Sequence, residues 1–211
     1  MLEPGAESPW LREGCGNEAA TMEFRLEEIE PAALATRIAD ARLATVYAYW
    51  SARRPRAPGG RPLLPARSNI EPLELHQVWP QLLLADVLGA AQRVRYRLVG
   101  TEIVARWVSD DTGRYLDEMP ASRSTDLSRK LYGIALSRRT ALYSETNLRP
   151  DGGVGLSLLC RLILPLASDG TTVDMVLAGQ VQTRKLPARS AEIASLVSET
   201  VAYIEVEAPG G

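Results

Sequence analysis

The sequence predicts an α+β protein: a five-stranded antiparallel sheet with helices on one face, and a flanking helix at each end. Three observations carry this. Five strand-like runs fall into two groups, QLLLADV and RVRYRLVG, then ALYSETNL, GLSLLCRLILPLA and TTVDMVLAGQV, with helical stripes between the groups. Strands within a group are joined by short turns, whereas parallel neighbours need a crossover of a dozen or more residues. RVRYRLVG alternates strictly, with Val94, Tyr96 and Leu98 on one side and Arg95, Arg97 and Val99 on the other. This order excludes a doubly wound nucleotide fold.

Residues 1–30 are rich in Glu, Gly and Pro and read as a flexible acidic segment, within which Met22 is a plausible start. Residues 31–54 read as one amphipathic helix beginning near Pro31, with Ala39, Leu43, Val46, Tyr47 and Trp50 on one face. Residues 55–78, dense in Pro, Gly and Arg, favour turns and extended backbone and read as a linker. The core then runs over 79–185. After the first strand a turn is expected at Gly89, and after the second Thr101 is positioned to cap a short helix that buries Ile103, Val104, Trp107 and Val108. Asp111, Thr112 and Gly113 are turn residues. A longer helix is expected from Thr125 to Arg139, capped by Ser124, with Leu127, Leu131, Ile134 and Ala135 inward. Residues 168–170, SDG, join the last two strands. Residues 186–211 are expected to hold a closing helix capped by Ser190, with Ile193, Leu196, Val197, Val201 and Ile204 on one stripe.

A hydrophobic content of 45% supports a real core, and a net charge of -2 offers no cationic excess for a nucleic-acid backbone. All but two of the 24 cationic residues are Arg, a bias that suits anion recognition but also follows genome composition. Cys15 and Cys160 lie too far apart in sequence and setting to suggest a disulfide framework or a CxxC metal site. No apolar stretch reaches the roughly 18 residues of a membrane span. The N-terminus is acidic where a signal peptide is basic and then apolar, so a cytoplasmic location is expected.

The words LPARSNIEPLEL, WPQLLLADV, RYRLVGTEIVARWVSDDTGRYLDEM and CRLILPLASDGTTVDMVLAG resemble a PAS-fold family of mostly uncharacterised alphaproteobacterial proteins. The resemblance covers roughly residues 45–185, and the pairing of RYRLVGT with DDTGRYLDE is its most specific part. It implies a five-stranded sheet around a small pocket and a non-enzymatic role in signal transduction or protein association. Fold alone does not specify the chemistry.

His76 is the only histidine and has no Cys or carboxylate cluster beside it in sequence, so haem or metal ligation is not expected; Cys160 lies in a strand rather than on the helix that flavin photochemistry uses. No cofactor is therefore predicted. GGVG at 152–155 opens a strand rather than a helix and reads as a turn, as does the pair Asp110 and Asp111. Arg161 interrupts an apolar run, where an unpaired charge costs several kcal/mol if buried. A salt bridge to Glu102, Asp174 or Glu145, or simple exposure, is the commoner explanation; the functional one is an anionic ligand held by Arg161 with Arg97. Tyr96, Trp107 and Tyr143 are candidates to line the pocket. The two terminal helices are expected to form a homodimer or partner surface through Tyr47, Trp50, Ile193, Val197 and Ile204. A sensory or adaptor protein is thus the first expectation, and a small-molecule enzyme or binding protein using both arginines is the rival.

Overall fold

The computed structural model describes residues 24–148, 156–185 and 200–205. Among them, seven strands form one mixed sheet in the order β1-β7-β4-β5-β6-β2-β3. The strands are β1 (Phe24–Ile29), β2 (Leu82–Leu88), β3 (Arg93–Val99), β4 (Leu142–Leu148), β5 (Leu156–Leu166), β6 (Met175–Lys185) and β7 (Thr200–Glu205); the helices are α1 (Pro31–Arg37), α2 (Ala41–Ala52), α3 (Thr101–Trp107) and α4 (Arg123–Arg138). The five central strands β2 to β6 pair antiparallel, which is the α+β, PAS-like sheet expected from the sequence.

Two further strands extend it at the β4 side. Phe24–Ile29, expected in a flexible segment, pairs in parallel with β7 in the register Phe24↔Thr200 to Ile29↔Glu205. Ladder hydrogen bonds, together with Leu26 and Ile29 packing against the core, repay the ordering that composition alone does not favour. Residues 200–205, expected at the end of a closing helix, are instead β7, lodged between β1 and β4. TVAYIE satisfies a period of two as well as a helical one, and pairing on both sides decides the outcome. Ile193 and Val197 lie outside the described residues, as does GGVG at 152–155.

The N-terminal helix is broken in two. Asp40 accepts hydrogen bonds from the backbone N–H of Arg42 (2.9 Å) and Leu43 (3.4 Å) and starts α2 afresh, leaving Ala39 exposed between α1 and α2. The stripe Leu43, Val46, Tyr47 and Trp50 is buried as its spacing requires. Residues 55–78 are not a free linker: Leu64, Ile70, Leu75 and Val78 are buried, and short 3-10 turns at Arg67–Asn69 and Pro72–Leu75 shape the segment.

The helices divide between the two faces of the sheet. Arg161 of β5 bonds Ser124 of α4, so α4 covers the face carrying Arg161, Gln180 and Ser144. A Cβ on Gly179 of β6 would lie 2.6 Å from Leu43, so α2 covers the other face, that of Leu162 and Gly179. The segment between β3 and β4 therefore occupies one side as expected, and the N-terminal pair closes the other.

Four local expectations fail for identifiable reasons. A register shift between Leu84 and Ala85 against β3 moves Leu98 opposite Leu84, and Leu98 ends 41% exposed rather than inward. Val108 adopts φ 60 at the end of α3 and points to solvent, 90% exposed. The N-cap of α3 is Gly100, not Thr101, and that of α4 is Ser122, whose hydroxyl accepts from Thr125 N at 3.1 Å, not Ser124.

Gly100 is required by close approach, because a Cβ there would lie 2.5 Å from the carbonyl oxygens of both Trp79 and Pro80. Gly100→Ala is expected to destabilise the protein by about 1–3 kcal/mol, since backbone has to move. Urea unfolding midpoints check this; an unchanged midpoint would contradict it.

Candidate functional site

On the α4 face, a cavity of about 330 Å³ opens between the sheet, the loop after α3 and the start of α4. Its apolar wall is Tyr96, Trp107, Leu116 and Met119. The sheet's alternation explains why Tyr96, Gln180 and Arg161 share that face, while the turn at the end of α3 delivers Trp107 beside Tyr96. The two rings are tilted by 46° with centroids 5.6 Å apart. Burial pushes the Tyr96 phenol well above its ordinary pKa, so it remains a neutral hydroxyl.

The polar wall is unusual. Arg161 is only 4% exposed, and its one hydrogen bond among the described residues runs from Nη2 to Ser124 Oγ at 3.3 Å. Its Nε and Nη1 are buried without a hydrogen-bond partner among the described residues. Each carboxylate considered as its partner is engaged elsewhere. Glu102 accepts from Gln81 at 2.5 Å, Glu145 from Tyr143 at 3.1 Å, and Asp174 from the Ser168 backbone at 2.9 Å. Desolvation lowers the Arg161 pKa to about 10, which still leaves the guanidinium charged near neutrality.

Neighbouring groups do not cancel that charge. Gln180 Oε1 accepts from Arg106, at 3.2 Å, so a second cation stands behind the site. Tyr132 Oη and Ser144 Oγ are also buried without a hydrogen-bond partner among the described residues, and Ser144 lies opposite Arg161 in the β4–β5 ladder. The hydroxyl residues Ser122, Ser124, Thr125 and Ser128 bring the first turns of α4 to the cavity. Across from them Asp111, 2% exposed, is held by Arg114 at 3.0 Å.

Of the pocket candidates, Tyr96, Trp107 and Arg161 come together here, and two do not. Arg97 lies on the opposite face of β3, with a 60% exposed side chain bonded to Asp86 at 3.3 Å, so the two arginines do not converge. Tyr143 also faces away, stacked on Tyr203 with its hydroxyl donating to Glu145. His76 is exposed and bonded to the Leu73 carbonyl, and Asp110 forms a turn with Thr112. Sequence reading missed Ser124, Ser128 and Gln180. The signal is present in Ser124 and Ser128, four residues apart and hence on one helix face, but a serine just before a helical run reads as a cap.

The interface candidates behave differently from expectation. Trp50 is fully buried and donates from Nε1 to Pro165 O at 3.0 Å; Tyr47 is 3% exposed and bonds Pro31 O at 3.2 Å. Both pack on the chain's own sheet and offer nothing to a partner. Ile204 is likewise buried, at 1%.

Among the described residues no helix is long and apolar enough to cross a membrane. No curated protein matches the chain. The family model described as PAS domain matches residues 38–181, well over half of the chain and the stretch that contains every residue of the cavity. The chain therefore belongs to the PAS domain family, whose members are generally sensory, non-catalytic modules that commonly mediate protein interactions and dimerisation.

Proposed function

We propose that this protein is a non-enzymatic sensory module that registers a small molecule in the α4-side cavity and passes the signal on by protein association, as a homodimer or with a signalling partner. The observation that carries this reading is the cavity of about 330 Å³ with a buried, uncompensated guanidinium on its wall. That volume falls at the lower end of small-molecule sites, and a few polar groups in an otherwise apolar wall are their usual composition. The rival enzyme reading loses support because Arg97 and Arg161 are on opposite faces of the sheet. The cavity hydroxyls also have no histidine near them to act as a base, since His76 bonds the Leu73 carbonyl elsewhere.

Native mass spectrometry of the purified full chain tests the proposal. A dimer with a retained non-covalent mass is the expected result. Ser128→Phe, which fills the cavity, is expected to lose that mass and keep the dimer. A bare monomer in both proteins overturns the reading.

A further inference from the structure

A guanidinium withdrawn from water costs several kcal/mol unless a counter-charge repays it. Arg161 has none among the described residues: two of its three nitrogens lack a hydrogen-bond partner, and the third reaches only a serine hydroxyl. Arg106 behind Gln180 adds positive potential. The N-terminus of α4, a 16-residue helix, arrives at the same point with Ser124, Thr125 and Ser128, and helix N-termini favour negative charge. Two independent features, a buried unpartnered cation and a helix terminus, thus prefer an anion in the same place. A different constraint limits how much charge fits. Asp111 is buried on the cavity wall while its partner Arg114 is half exposed to solvent, so a second negative charge on the ligand would be set against a buried carboxylate.

Resting on the cavity reading above, we infer that the ligand is a small monocarboxylate with an apolar body, its carboxylate on Arg161 and the α4 hydroxyls and its body against Trp107, Leu116 and Met119. The planar guanidinium fork matches a carboxylate in two parallel bonds. Inorganic phosphate, a mixture of mono- and dianion near neutral pH, has no apolar part for the aromatic wall and would bring its second charge toward Asp111.

Titration calorimetry of the full chain with phenylacetate, phenylacetamide and inorganic phosphate tests this. Phenylacetate is expected to bind at least about tenfold more tightly than the isosteric amide, with phosphate failing to compete. In Arg161→Met the acid-over-amide ratio is expected to fall to about one while amide binding persists. Should that variant not fold, the double variant of Ser124→Ala and Ser128→Ala is expected to weaken the acid alone, by about threefold to tenfold. Equal binding of acid and amide to the wild type, or displacement of phenylacetate by phosphate, overturns the monocarboxylate assignment and leaves the sensory cavity standing. If no probe binds while native mass spectrometry retains a mass, the assignment again falls alone. If no probe binds and no mass is retained, the cavity reading falls with it.

Discussion

Trp50→Ala is expected to lower the free energy of unfolding by about 3–5 kcal/mol, the range for deleting a large buried aromatic side chain. Trp50 is fully buried, stacks on Tyr47 at 6.3 Å between centroids and donates its indole N–H to Pro165 in β5. The substitution leaves a cavity under α2 and orphans the Pro165 carbonyl, and both costs act in the same direction. Urea unfolding followed by fluorescence and circular dichroism reads the loss, which should not vary with protein concentration. A loss below about 1 kcal/mol, or one that grows on dilution, would place Trp50 at an interface between chains, against the packing described here.

Arg54→Ala is expected to cost a similar amount, about 3–5 kcal/mol, because it removes the guanidinium paired with a buried carboxylate. The Arg54 guanidinium is 12% exposed and Glu205 of β7 is 2% exposed, with 3.0 Å between Nη1 and Oε1. Nε also donates to Leu63 O at 3.2 Å, and the guanidinium stands 5.1 Å from the Trp50 ring. One side chain thus joins the end of α2, the 61–64 segment and β7. The companion experiment is a double-mutant cycle in which Arg54→Met and Glu205→Leu are combined. The combined loss should be well below the sum of the single losses, because both charges of the pair are gone together. Additive losses would show that the pair is not coupled.

Much of the central sheet was legible because its signals are local. RVRYRLV declares a strand by alternation, and SDG at 168–170 declares a hairpin, with Asp169 accepting from the backbone of Thr171 and Thr172. Leu98 was misplaced because a bulge is a property of two strands together, invisible in either alone. β1 and β7 escape a sequence reading for the same reason at longer range. FRLEEI is a weak strand sequence and TVAYIE suits a helical stripe as well as a strand; the two pair across more than 170 residues of chain, and only the assembled sheet brings them together.

The site divides along similar lines. Arg161 announced itself as a charge within LLCRLILPL, and Tyr96 as an inward position of an alternating strand. Which carboxylate would neutralise Arg161 was not readable, since three stood within plausible reach and each proved to be committed elsewhere. Ser124 was hidden by its own chemistry, because serine before a helical run is the signature of a cap, and Ser122 two residues earlier already fills that role.

The parallel pairing of β1 with β7 gives the fold a mechanical character. Phe24 opens one strand and Glu205 closes the other, so the entry and exit of the described chain lie at opposite ends of one ladder. Tension applied outward at those two points runs along the strands and loads their evenly spaced hydrogen bonds together, in shear, rather than peeling them apart one by one. The outermost pair of the sheet therefore acts as a tensile clamp across the PAS core, resisting a pull from its two ends until the whole ladder gives way.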